Sequence, residues 1–111
     1  MQAVNITLGE FNDEVINLAI TNNSSAFNLT GYGLQALLKT AAGIPDTDPS
    51  TLVLSTANGG IVVTNNAGGL AQLTIPHADL QNTNFAFWRV DVTISGTQAT
   101  AMYGTVTMRA L

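Results

Sequence analysis

The sequence predicts an all-β protein, folded as one antiparallel β-sandwich that spans residues 1–111. Short segments in which apolar and polar residues alternate recur along the chain, which is typical of strands with one buried face. Segments rich in glycine, asparagine and proline separate them, and these residues favour turns. Together the segments give about seven or eight short strands, as expected for an immunoglobulin-like sandwich.

The first two strands are expected in "VNITLGEF" and "EVINLAIT". In the second, Ile16, Leu18 and Ile20 fall on one side, which we expect to face the core. The other side carries Val15, Asn17 and Ala19, so partial cover of that side is also expected. The asparagines and serines of "TNNSSAFNLTG" then predict a turn.

The segment "YGLQALLKT" fits two kinds of secondary structure. Leu34, Leu37 and Leu38 fit one face of a helix, whereas the alternation expected of a strand is found in Tyr32, Leu34, Ala36 and Leu38. The nearby glycines and the β-rich neighbours favour a strand.

Turn residues divide the middle of the chain. Two prolines and a glycine predict a loop in "AAGIPDTDPS". The "NGG" between "TLVLST" and "IVVTN" predicts a hairpin in which these two strands pair. A second turn, "NNAGG", precedes the alternating segment "LAQLTI".

The last third contains one predicted helical turn and two strands. Pro76 begins the turn in "PHADLQNTN", where proline is tolerated at a helix start. The segment "FAFWRVDVTIS" is the clearest strand. Its expected core-facing residues are Trp88, Val90, Val92 and Ile94, and its expected outward residues are Arg89, Asp91 and Thr93. After "GTQA", the closing strand places on one face Met102, Gly104, Val106 and Met108.

The composition indicates a neutral, polar surface. Charged residues make up 9% of the chain, against roughly 25% in ordinary soluble domains. Threonine, asparagine, glutamine and serine replace them, and these side chains cost less to desolvate than lysine or glutamate. Such a surface favours a protein packed against copies or partners over a secreted adhesive domain of the same composition.

The charge and cysteine content exclude several classes of function. The net charge is −4 and the only cations are Lys39, Arg89 and Arg109, so no basic patch for nucleic acid or for an anionic membrane is expected. There is no cysteine for disulfides or thiolate metal sites. No signal peptide and no apolar run of about 20 residues is evident, so we expect no export through a cleaved signal.

No group of residues predicts catalysis, a cofactor or a metal. His77 is the only histidine and is expected to cap the helical turn. Asp46 and Asp48 have the spacing of calcium ligands, but the glycine and the closing glutamate of a calcium loop are missing. Glu10, Asp13 and Glu14 crowd the first loop and are expected to be solvated or to meet a partner's cation.

The charged residues are therefore candidate partner contacts. Arg89 and Asp91 lie two residues apart on the outward side of one strand, which fits either a cross-strand salt bridge or a contact with a partner. Both alternatives remain open from the sequence. The candidate contacts are Glu10, Asp13, Glu14, Asp46, Asp48, Arg89 and Asp91.

The order of the segments resembles the opening β-sandwich domain of phage upper-baseplate and tail-fibre-attachment proteins. The resemblance rests on "LGEFNDEVINLAIT", "FNLTGYGLQALLKT", "GGIVVT", "AGGLAQLTI", "PHADLQ", "FWRVDVTIS" and "YGTVTM". Two features depart from that family. The first turn reads "GEFND" where the family usually has Gly-Asp-Thr, and the sequence ends at Leu111, without the fibre or receptor-binding parts that usually follow.

The resemblance implies a non-enzymatic virion structural protein, either a tail or baseplate adaptor or a capsid decoration protein. We expect it to contact other virion subunits and copies of itself in a symmetric particle, without nucleic acid, membrane or cofactor. The alternative is a carbohydrate-binding module, which requires aromatic side chains exposed on one sheet or loop.

Overall fold

The computed structural model describes residues 2–22, 25–41, 43–81, 83–94 and 96–109. It confirms the predicted all-β sandwich, in which two sheets pack face to face. The elements are β1 (Gln2–Ala3), β2 (Ile6–Gly9), β3 (Glu14–Ala19), β4 (Thr21–Asn22), β5 (Ser25–Ala26), β6 (Gly33–Lys39), β7 (Leu52–Ser55), β8 (Ile61–Asn65), β9 (Leu70–Ile75), α1 (His77–Leu80), β10 (Phe87–Ile94) and β11 (Thr97–Arg109).

The large sheet has the strand order β1-β11-β10-β6-β7, with β2 also paired to β11. The small sheet has the order β3-β9-β8, and β4 and β5 form a separate short hairpin. All these pairs are antiparallel except those of β1 and β2, which run parallel to β11. The ambiguous segment "YGLQALLKT" is the central strand β6, and the predicted helical turn after Pro76 is α1.

The core lies between the two sheets and is filled by the alternating residues of both. As the alternation predicts, the buried residues include Leu18 and Ile20, in and just after β3 of the small sheet, and Trp88 and Val90 of the large sheet. Ile16, Val92 and other partly buried residues pack against them. The indole Nε1 of Trp88 donates a hydrogen bond of 2.7 Å to the Val4 carbonyl oxygen, so the polar atom of this core side chain is satisfied.

Gly104 allows the N-terminal segment to lie against β11. A Cβ at this position would come within 1.8 Å of the Val4 carbonyl oxygen, which leaves no room for any side chain. The Val4 amide in turn donates to the Tyr103 carbonyl oxygen at 2.8 Å, and the Thr105 amide donates to Asn5 Oδ1 at 3.1 Å. These hydrogen bonds lie between the segment in which β1 pairs with β11 and the segment in which β2 pairs with β11. They hold the residues that link β1 to β2 against β11.

The predicted hairpin at "NGG" is wrong, because β7 pairs with β6 and β8 pairs with β9 in the other sheet. The side chain of Asn58 occupies the edge of β7 that a pairing strand would take. Its Oδ1 accepts from the Ser55 and Gly60 amides at 2.9 and 3.0 Å, and its Nδ2 donates to the Val53 carbonyl oxygen at 3.1 Å. The turn residues are therefore present, with Gly59 at φ +84°, but they carry the chain from one sheet to the other.

Ile94 does not face the core as predicted, since it is 38% exposed. It is the last residue of β10, next to the hairpin turn, and its side chain lies at the end of the sandwich near Gly31. Between the pairs Val90–Met102 and Asp91–Thr100 the register shifts, so β11 contains a bulge there. Along β10, Trp88 and Val90 are buried, Val92 is half-buried and Ile94 is exposed, so the inward alternation weakens toward the end of the strand.

Candidate functional site

Three segments carry acidic residues: the first loop, "GEFND"; the second loop, "GIPDTDPS"; and the segment that begins at Pro76 and includes α1. Side-chain contacts and a shared surface depression bring them together at one end of the sandwich. Asp13 Oδ1 of the first loop accepts from the His77 amide at 2.8 Å and lies 2.7 Å from His77 Nδ1. Residues 49–52 of the second loop line the same surface depression as Asp79 and Phe85. Six of the seven acidic residues are in or beside these loops.

Lys39, the only lysine, anchors the second loop to the large sheet. Its Nζ lies 2.6 Å from Asp46 Oδ1 and donates to the Ile44 carbonyl oxygen at 2.6 Å. Arg89 Nη2 lies 2.6 Å from the other oxygen of Asp46, so this carboxylate bridges two cations. The hydrogen bond from Arg89, followed by that from Lys39, lowers the pKa of Asp46 below its ordinary value of 3.8.

Asp91 forms the buried half of the same network. Arg89 Nε donates to both carboxylate oxygens of Asp91 at 3.0 and 3.1 Å. On the neighbouring strand, Thr100 Oγ1 and Gln98 Nε2 each donate to Asp91 at 2.9 Å. The side chain of Asp91 is 0% exposed. In contrast to the sequence-based expectation, Asp91 is therefore not accessible to a partner, and its ion pair with Arg89 lies within one strand.

The ionic network is electrically balanced. It contains two cations, Lys39 and Arg89, and two carboxylates, Asp46 and Asp91. The hydrogen bond with Asp46 raises the pKa of Arg89, so its guanidinium stays charged in this setting. The network thus fixes the second loop over the outer face of the large sheet without adding net charge there.

The other candidate contacts have partners inside the chain. Glu14 Oε1 accepts from the Gly9 amide at 2.8 Å. Asp48 Oδ1 accepts hydrogen bonds from the Ser50 hydroxyl and the Ser50 amide. The bond from the hydroxyl, followed by that from the amide, lowers the pKa of Asp48. The His77 amide lowers the pKa of Asp13 in the same way. It stays a prediction that a partner contacts Glu10, Asp13, Glu14, Asp46, Asp48 and Arg89.

The acidic side chains of the described residues do not assemble a metal centre. Among the described residues, no three histidine, cysteine or acidic side chains are grouped so that they could hold a metal ion. Asp46 and Asp48, which have calcium-like spacing in the sequence, turn to different partners: Asp46 to the cations and Asp48 to Ser50.

The outer face of the large sheet carries a groove of about 200 Å³ beside the ionic network. Phe87 and Tyr103, on neighbouring strands, are 38% and 47% exposed. Both point away from the core, because Trp88 and Met102, the residues beside them in the chain, face it. We call this the aromatic groove. Its lining residues are Leu37, Lys39, Phe87, Trp88, Arg89, Tyr103 and Gly104.

The outer face of the small sheet is exposed, and none of the described residues on it has an ionisable side chain. It includes Val62 and Val15, which are 59% and 55% exposed, and Leu70. Cross-strand pairing places Val15 beside Thr74 and Val62 beside Gln72 on this side. We call this surface the uncharged face. Its residues are Val15, Asn17, Ala19, Val62, Asn65, Leu70, Gln72 and Thr74.

Comparison with known proteins adds no identity to this geometry, since no family model and no curated protein matches the chain. In the described part of the chain, none of the helices has the length and apolar character needed to cross a membrane.

The sequence alone does not predict the aromatic groove or the uncharged face as a continuous surface. The alternation that assigned Trp88 and Met102 to the core already places Phe87 and Tyr103 outside. What the sequence lacks is the strand pairing that brings these two aromatic residues to one groove. Likewise, the alternation places Val15 on the outward side, but it does not identify the neighbours of Val15 across the small sheet.

Proposed function

We propose that the chain is a non-enzymatic structural subunit of a bacteriophage particle, either a tail or baseplate adaptor or a capsid decoration protein. It attaches to other virion subunits and to copies of itself through the exposed outer face of its small sheet. The observation that carries this proposal is the uncharged face, which exposes Val15, Val62 and Leu70 among amide and hydroxyl side chains.

The charge distribution favours contact at the uncharged face. Each copy carries a net charge of −4, so copies that met through their acidic loops would repel each other. The uncharged face has no such repulsion, and its amides, hydroxyls and aliphatic groups cost less to desolvate than charged groups. Contact there also removes exposed apolar surface from water.

The size of the uncharged face indicates a weak single contact. Three strands about 4.8 Å apart, with about six residues of 3.3 Å each, span roughly 300 Å². A standard specific interface buries about 800 Å² on each partner. A contact of this size becomes stable when a symmetric particle presents many sites together.

The assignment to a phage particle is supported by the resemblance of the strand and turn order to phage baseplate and tail-fibre-attachment proteins. It implies that the subunit is assembled in the cytoplasm of the host bacterium and remains in the virion. The ordinary partners of such a subunit are proteins, which fits a face without a basic patch.

Co-sedimentation tests the proposed function. Labelled chain is mixed at increasing concentration with phage particles that lack it, and the pellet is quantified. We expect saturable binding to the particles, at a ratio fixed by the particle symmetry. We also expect weak self-association of the free chain. A chain that stays monomeric at every concentration and remains in the supernatant would overturn the proposal.

A further inference from the structure

We propose that the aromatic groove is a binding site for a neutral sugar. This site lies on the outer face of the large sheet, so it is separate from the uncharged face of the small sheet and does not depend on the proposed function. The inference rests on three features of the groove: two exposed aromatic rings, a donor and an acceptor held in place at the rim, and a balanced charge.

The aromatic side chains provide an apolar platform. Arg89 pairs with Tyr103 and Phe87 pairs with Thr105, so Phe87 and Tyr103 are diagonal neighbours on adjacent strands. Diagonal neighbours lie about 7–8 Å apart, which is within the reach of aromatic side chains. The negative face of an aromatic ring attracts positively polarised hydrogens. One side of a pyranose ring is a layer of such C–H groups, so it can stack on this platform.

Lys39 and Arg89 line the groove, and both are bonded to the Asp46 carboxylate at 2.6 Å. We infer from these contacts that a donor, the Arg89 guanidinium, and an acceptor, the Asp46 carboxylate, lie side by side at the rim. A sugar hydroxyl both donates and accepts, so it can bond to the two groups together. Because these side chains are already held in place in the free protein, little conformational entropy is lost on binding.

The charge balance selects a neutral ligand. An anion would have to compete with Asp46 and Asp91 for Arg89, and a cation would have to compete with Lys39 and Arg89 for the carboxylates. Breaking a pair that includes the buried Asp91 leaves an uncompensated charge, which is strongly unfavourable. A neutral polyhydroxyl ligand uses the rim without breaking either pair.

The dimensions select a short ligand. Sites for drug-sized ligands are roughly 300–1,000 Å³. The groove, at about 200 Å³, is smaller and is open on the outer face of a sheet. It therefore fits one sugar ring or the end of an oligosaccharide, and we expect affinity in the range of about 1–50 mM for a monosaccharide.

Backbone NMR of the whole chain tests the proposal. Spectra are recorded during titration with glucose, galactose, mannose and N-acetylglucosamine, and with glucuronate and glucose 6-phosphate as charged counterparts. We expect at least one neutral sugar to shift the signals of Phe87, Arg89 and Tyr103 saturably, and the charged counterparts to bind more weakly. Absence of saturable shifts with all four neutral sugars, or tighter binding of a charged counterpart, would overturn the proposal.

Variants locate the binding. Phe87→Ala and Tyr103→Ala each change an exposed side chain and leave the core intact, and we expect each to weaken binding about tenfold. Phe11→Ala is the matched control, because Phe11 is 52% exposed but does not line the groove. Circular dichroism confirms that each variant is folded. Equal loss of binding in Phe11→Ala, or unchanged binding in both groove variants, would contradict the site.

Discussion

At the scale of single residues, Trp88 joins the N-terminal segment to the core. Its ring is 2% exposed, and its indole nitrogen donates to the Val4 carbonyl oxygen at 2.7 Å. The side chain therefore contributes both apolar burial and a hydrogen bond, and two substitutions separate these contributions.

We expect Trp88→Ala to lower the free energy of unfolding by about 3–5 kcal/mol, because it removes a large core side chain. Trp88→Phe keeps an aromatic ring but leaves the Val4 carbonyl oxygen without its donor, and we expect a loss of about 1–3 kcal/mol. Urea unfolding followed by circular dichroism measures both. Equal stability of Trp88→Phe and the native chain would show that the hydrogen bond contributes nothing.

The sequence predicts which way many side chains point, but it does not predict the hydrogen bonds and ion pairs that they form. Alternation correctly places Trp88 and Val90 inside. It also places Asp91 on the outward side, yet Asp91 is fully buried there by its bonds with Arg89, Gln98 and Thr100. Burial of an outward residue depends on cross-strand neighbours, and no periodicity within one strand contains that information.

At the scale of elements, strand positions were predictable and strand partners were less so. The strand in "YGLQALLKT" and the helical turn after Pro76 follow from local residue preferences. The pairing of β7 does not, because "NGG" fits both a hairpin and a link between sheets. Asn58 decides the outcome, since its amide satisfies the Val53 and Ser55 backbone groups at the edge of β7.

The loop that contains Asp46 gives a pH-dependent contribution to stability. Its hydrogen bonds with Arg89 and Lys39 lower the pKa of Asp46 below 3.8, so the unfolded chain binds protons more readily in acid. The contribution is complete above about pH 4 and is lost as the pH falls through the folded-state pKa. Because the Asp46 side chain is 43% exposed, we expect it to be at most about 1 kcal/mol.

The variant Asp46→Asn tests this contribution by urea unfolding at several pH values. We expect the variant to be less stable than the native chain at pH 7 and to approach it near pH 2. An acid-dependent loss remains in the variant, because the pKa values of Asp13 and Asp48 are also lowered. A constant difference in stability from pH 7 to pH 2 would contradict the role of the Asp46 carboxylate.

At the scale of the whole molecule, the two sheets present different outer surfaces. The large sheet carries the ionic network and the aromatic groove, and the small sheet carries the uncharged face. The composition predicts a neutral surface overall, but only strand pairing shows that the charges collect at the loops and on one sheet. This separation of charged and uncharged surfaces is the basis for our proposal that assembly occurs through the small sheet.

Charge substitution on the uncharged face tests this assignment most directly, with co-sedimentation on phage particles as the measurement. Val62→Lys and Leu70→Lys each place a cation on an exposed position of the small sheet, and Tyr103→Lys is the matched control on the opposite sheet. All three change the net charge equally. We predict that the two small-sheet variants fold but no longer enter the pellet, while Tyr103→Lys binds like the native chain. Unchanged binding of Val62→Lys and Leu70→Lys would contradict the proposed assembly role of the uncharged face.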